Sequence, residues 1–197
     1  MKPQNGKHAR LYISCGNVAQ REDGMENGID WDAFADTPAA LEREHIEGGE
    51  PWANAAAAGL QFYAYGRSNG LGGRVLPQSG DRLTLSRQPD NGHDRNAVEL
   101  LWRNRHQLGH LPRGVAATLA PRLDRGEACR AYVWHEGTGA AWSLRVFLVG
   151  AATAVEHAER QEVEREAAEL REIRRAGHQR ARERATAEGR TIPAWLS

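Results

Sequence analysis

The densest run of polar and ionisable side chains is Pro89-Asp90-Asn91-Gly92-His93-Asp94-Arg95-Asn96-Ala97-Val98. Two carboxylates, two amides, an imidazole and a guanidinium fall within ten residues. Such groups can present hydrogen-bonding partners to a ligand. The same residue types also build a tight connection between strands, with Pro, Asn, Gly and Asp turning the chain and Asp94 and Asn96 capping backbone N–H groups. Residue types alone leave both readings open.

Other groupings point to less. His106 and His110 are four apart, but on a predicted hairpin, with no HExxH pattern and no matching cysteine pair, so no zinc site is expected. Asp30, Asp32, Asp36, Glu42, Glu44 and His45 would suit a metal-dependent nuclease only if gathered in a cleft; an acidic solvated face is the simpler expectation. Gly70-Leu71-Gly72-Gly73-Arg74 lacks the Gly-Lys-Ser/Thr ending of a nucleotide-binding loop, so no ATPase motor is expected. Catalytic residues, metal and cofactor are therefore all expected to be absent. Cys15 and Cys129 are too few for a disulfide framework or a four-thiolate metal site. The start of the chain shows no signal peptide and no run long enough to span a bilayer, so a cytoplasmic protein is expected.

The elements that must carry these residues fall into three regions with different charge. The chain has 197 residues and no net charge, but residues 1–55 sum to −5, residues 56–150 to +5, and residues 151–197 to zero. In the middle region every cation is an arginine, whose planar fork suits phosphates and flat rings. Residues 1–55 form an acidic region of unknown role: Leu11–Cys15 reads as a short strand, and Thr37-Pro38 opens a helix that Gly48-Gly49 ends. Residues 56–150 read as short strands at 59–65, 82–86, 97–102, 107–111, 128–134 and 142–149. A glycine-rich mobile loop spans 66–80. An internal helix buries Val115, Ala116, Leu119, Ala120 and Leu123 and stops at Asp124-Arg125-Gly126. The fold class is a mainly β core with α: a small OB-like six-stranded β-barrel with an internal helix, followed by a long charged C-terminal helix over 151–190. That helix carries a thin stripe of Val163, Ala167, Leu170 and Ile173, which packs along the barrel or pairs with another copy. Residues 191–197 are an apolar-tipped tail.

Several blocks of the middle region resemble the HIRAN domain. Pro89, Asn91, Asp94, Asn96, Ala97 and Val98 follow its Pro-x-Asn-x-x-Asp-x-Asn-Ala-Ile/Val pattern. Gly109-His110-Leu111-Pro112-Arg113, Leu119-Ala120 and Asp124-Arg125-Gly126 then follow in the family's order. The resemblance implies an OB-like barrel that captures the 3′ end of single-stranded DNA, the kind of barrel that pairs a basic groove with aromatic platforms. It assigns base stacking to Phe62 and His93, hydrogen bonding to the free 3′ hydroxyl to Asp94 in the loop that Asn91 opens, phosphate-facing positions to His110 and Arg113, and a flanking aromatic to Trp142. A carboxylate suits that position, because it accepts from a hydroxyl and repels a terminal phosphate.

Three positions depart from the family pattern: His93 stands where Tyr is frequent, Gly92 where Pro is common, and Gln61 where some members carry Arg. The expectation is a non-enzymatic DNA-binding module acting in repair or replication-fork processing. It would work with a repair, helicase or nuclease partner and no membrane, with dimerisation through the C-terminal helix as a further expectation. The alternatives are a protein-interaction adaptor that no longer recognises DNA ends, and a metal-dependent nuclease accessory.

Overall fold

The structure, a computed structural model, describes residues 25–26 and 28–189. The expected strand at Leu11–Cys15 and the tail at 191–197 lie outside them. In chain order the elements are β1 (Met25–Glu26), β2 (Ile29–Asp30), α1 (Arg43–Glu47), β3 (Trp52–Ala56), β4 (Arg82–Arg87), β5 (Val98–Trp102), β6 (His106–His110), α2 (Arg113–Asp124), β7 (Arg130–His135), β8 (Arg145–Val149) and α3 (Ala154–Ala187). β1 and β2 form a separate small ladder. The other six strands form one antiparallel sheet in the order β3-β8-β7-β4-β5-β6.

The sheet's two edges meet just past β3. Ala58 N–H donates to His110 O (2.8 Å), and His110 N–H donates to Ala58 O (3.0 Å). Gly109 makes this approach possible. Its φ is +150°, and a Cβ there would lie 2.3 Å from the Ala58 carbonyl oxygen. The interior holds Leu60, Val75, Val98, Leu100, Leu108, Val133, Val146 and Leu148, with Ala116, Leu119 and Ala120 of α2 packed on them. The sheet thus curls into a six-stranded barrel of OB-like character, with α2 internal and α3 trailing, as the sequence predicts.

Two expectations need correction. The barrel's first strand is Trp52–Ala56, not 59–65. Gly59 takes a left-handed φ of +78°, and the chain enters a 3-10 turn at Leu60–Phe62. Leu60 is buried while Phe62 points out at 70% exposure. Alternating apolar residues there mimic a strand, but the turn separates them. Likewise, the loop over 66–80 is pinned: Val75 is fully buried, and Asn69 Oδ1 accepts from the N–H groups of Leu71 and Gly73.

β8 reads Arg-Val-Phe-Leu-Val, and its last four residues are fully buried. An antiparallel strand with both faces apolar needs cover on its second face. Residues 29–46 supply it, as Ile29, Trp31, Phe34, Ala39 and Ile46 pack on Trp52, Tyr132, Phe147 and Val149. Residues 29–46 of the acidic N-terminal region are therefore part of the folded body. Thr37-Pro38 opens a helical segment as predicted, first 3-10 (Pro38–Glu42) and then α1, ending at Gly48. One member of the predicted solvated acidic face is not solvated. Glu42 is 3% exposed and accepts from Arg130 Nε and Nη2 (2.7 Å each) and from the Tyr132 hydroxyl. Burial raises the Glu42 pKa, but these donors outweigh it and hold the carboxyl below its ordinary value. Burial and the same carboxylate push Tyr132 up to about 12.

Candidate nucleic-acid interface

The β4–β5 connection is organised from within. Asn91 Oδ1 accepts from the N–H groups of His93 (2.9 Å) and Asp94 (3.2 Å), and Asp94 Oδ1 accepts from Asn96 N–H (2.9 Å). The capping side chains are thus Asn91 and Asp94; Asn96 receives a cap rather than giving one. The second carboxylate oxygen of Asp94 stands 3.6 Å from Arg113 Nε. Both ends of α2 strap the connection down. At its start, Arg113 Nη2 donates to His93 O (2.9 Å). At its end, Asp124 takes Arg87 Nε and Nη2 (2.9 and 3.0 Å), while Arg87 Nη1 also donates to Ala97 O (2.7 Å).

A recess of about 250 Å³ opens beside this loop, lined by Tyr63, Asn91, His93, Asp94, Ala97, His110, Leu111 and Arg113. It is smaller than the roughly 300–1,000 Å³ of pockets that engulf a drug-sized ligand. Its scale suits one flat ring or a sugar edge rather than an extended molecule. Of the sequence-predicted residues, Asn91, His93, Asp94, His110 and Arg113 meet here. Phe62 and Trp142 do not line the recess. Both are exposed aromatics, at 70% and 54%, and Trp142 holds a left-handed φ of +63°. Their loops are tied together by the Tyr65 hydroxyl, which donates to Gly137 O.

Sequence reasoning missed Tyr63 and Gln88. The Tyr63 hydroxyl lies 3.3 Å from His110 Nδ1, its ring edge-on to the imidazole at 5.4 Å. Gln88 Oε1 lies 3.0 Å from His110 Nε2 and accepts from Asn91 Nδ2 (3.2 Å). An amide oxygen only accepts, so Nε2 carries the imidazole proton and Nδ1 accepts from Tyr63. Burial holds His110 below the ordinary histidine pKa, against the opposing charge of Glu99. His110 is thus a neutral strut behind the recess, with both ring nitrogens engaged. The local signal for Tyr63 is its place beside Phe62.

Among the described residues no group of three or more His, Cys, Asp and Glu could hold a metal ion. His106 packs against Trp102 at 5.9 Å, while His110 packs on Tyr63. The Cys129 thiol is pushed up to about 12 by burial, which leaves it protonated and unreactive at neutral pH. A second recess, about 320 Å³, lies between residues 46–52 and the base of α3. There the Arg160 guanidinium sits 3.5 Å from the centre of the Trp52 ring.

Fold and recess together define a small antiparallel barrel with a polar, arginine-flanked pocket on its rim. Residues 53–149 match the sequence model of the HIRAN domain, and this part of the chain is a HIRAN domain. A putative SWI/SNF-related matrix-associated actin-dependent regulator of chromatin subfamily A member 3-like 1 from Arabidopsis thaliana is 39% identical over 66 residues, 34% of this chain and 6% of that protein. The chain therefore spans only a small part of that relative's length. Among solved structures, the crystal structure of the HIRAN domain of human HLTF has a TM-score of 0.44 at 21% identity, covering 57% of this chain and 93% of that one. A Lactobacillus plantarum protein has a TM-score of 0.40 at 17% identity, covering 52% and 97%. No helix among the described residues is long and apolar enough to cross a membrane.

Proposed function

We propose that the barrel is a non-catalytic module that binds the 3′-hydroxyl end of single-stranded DNA. It would serve DNA repair or fork processing by bringing an enzyme it does not itself contain. The observation that carries this reading is Asp94. One of its oxygens is spent on the turn and the other stands 3.6 Å from Arg113 Nε, while Asp94 lines the recess with His93 and Arg113. In that place the carboxylate accepts a hydrogen bond from a terminal hydroxyl and repels a terminal phosphate. Arg113 holds His93 O through Nη2 and stands beside Asp94, and its side chain, 76% exposed, would still reach the preceding backbone phosphate. The exposed His93, Phe62 and Trp142 offer flat faces on which bases would stack, Phe62 and Trp142 from outside the recess.

The test is fluorescence anisotropy with labelled single strands ending in 3′-hydroxyl or 3′-phosphate. Wild type is expected to prefer the hydroxyl end by about tenfold, the worth of one charge-assisted hydrogen bond. Asp94→Ala is expected to lose that preference. Equal wild-type binding to both ends refutes end capture, and binding to neither end favours the adaptor reading.

A further inference from the structure

α3 runs for 34 residues, about 50 Å at the ordinary helical rise, and none of them is buried. Among the described residues its base meets the barrel, through His157 at Trp52, Arg160 over the Trp52 ring and Glu156 at Thr118. Beyond Glu164 it projects with Leu170 and Ile173 63% and 66% exposed, and Val163 earlier on the helix is 61% exposed. Val163, Leu170 and Gly177 recur every seven residues, with Ala167 and Ile173 beside them on the same face. A seven-residue repeat is the pattern of a helix seeking another helix.

The charges say which helix. Residues 154–170 carry six Glu and two Arg, whereas residues 171–187 carry six Arg and two Glu. The helix dipole favours acids in the first turn and bases in the last, but its reach ends there. Here the change of sign falls at mid-helix, between Glu169 and Arg171. Laid antiparallel on a second copy about a dyad at Leu170, each acidic half meets a basic half. In that register Leu170 faces its own copy, Val163 faces Gly177, and Ala167 faces Ile173, so large residues oppose small ones. Glu166 faces Arg174 across the seam. A parallel pair would set like charges side by side along the whole length.

We propose that α3 pairs antiparallel with α3 of a second copy of this chain, centred on Leu170, so that two barrels sit at opposite ends of a shared helical spacer. The inference is independent of what the barrels bind.

Light scattering and sedimentation of the full chain, from low micromolar to about 100 μM, test it. Wild type is expected to dimerise with concentration. Glu166→Arg and Arg174→Glu each turn two attractive pairs into two repulsive ones across the dyad, and each is expected to weaken the dimer about tenfold or more. The double variant Glu166→Arg/Arg174→Glu restores both pairs and is expected to recover the dimer. An equimolar mixture of the two single variants is expected to form a heterodimer. Tryptophan fluorescence, reporting the barrel, should be unchanged throughout. A chain that stays monomeric at every concentration overturns the proposal, as does a dimer indifferent to both single changes. If the chain is monomeric and Arg174→Glu instead weakens DNA binding, the basic half is a nucleic-acid surface.

Discussion

Replacing Gly109 by alanine should strike the barrel at its closure. The residue sits at φ +150°, and its new Cβ would lie 2.3 Å from the Ala58 carbonyl oxygen, far inside contact distance. Holding an alanine in that backbone region costs about 1–3 kcal/mol. Relieving the clash moves β6 away from Ala58, which weakens the two seam hydrogen bonds at 2.8 and 3.0 Å, each contributing about 0.5–1.5 kcal/mol. The expected loss is about 4 kcal/mol, a large share of the roughly 5–15 kcal/mol available to a folded domain. For a body of this size that corresponds to a fall in Tm of about 10–15 °C. Urea unfolding followed by tryptophan fluorescence gives the free energy directly. Gly92→Ala is the matched control: a Cβ there meets nothing within 4 Å, and its φ is not in the left-handed region. It should stay within about 0.5 kcal/mol of wild type. A Gly109→Ala protein as stable as the Gly92→Ala protein would refute the claim that this seam closes the sheet. Because His110 is the next residue, the change should also loosen the recess and lower DNA affinity.

Glu42→Gln leaves the partly buried Arg130 with Glu50 as its remaining carboxylate, and should cost about 2–3 kcal/mol in the same unfolding assay. Glu42 is held below its ordinary pKa, so its contribution is present above about pH 4.5 and is lost as pH falls through the folded value; wild type should shed more stability there than Glu42→Gln. Arg113→Ala should weaken binding to all single strands and reduce the slope of log affinity against log salt by about 0.7, read from anisotropy titrations. Trp142→Ala should weaken single-strand binding about tenfold without altering the preference between end chemistries, since a stacking platform is worth roughly 1–3 kcal/mol and senses no terminal group.

The β4–β5 connection, the two hairpins, α2 and α3 are legible in the sequence because each is written in local signals: turn residues, alternation, a helical stripe and a glycine stop. Five recess residues also fall into one group there, since Asn91, His93 and Asp94 share a loop and His110 and Arg113 bracket the entry to α2. The segment at 59–65 misreads as a strand because Gly59 breaks a strand-like run through its backbone angle, just after Ala58 has paired with the distant His110. Trp52–Ala56 is easily overlooked because alanines give little pattern, and its pairing with β8 is a contact across some ninety residues. Glu42 looks like a surface acid because its partners, Arg130 and Tyr132, are far along the chain. What escapes the sequence is thus what depends on contacts between distant parts of the chain.

The straps at both ends of α2 have a thermodynamic and kinetic meaning for whatever enters the recess. Fixing the backbone of a free loop costs about 1–2 kcal/mol per residue. Here Asn91, Asp94, Arg87 and Arg113 have already fixed the connection from Gln88 to Ala97, so that entropy is absorbed when the protein folds rather than when it binds. A ligand then meets a rigid receptor, and association should be limited by encounter rather than by loop rearrangement. The same arrangement makes α2 a splint: its packing on the barrel and its Thr118 contact to Glu156 of α3 give the recess one mechanical frame with the projecting helix.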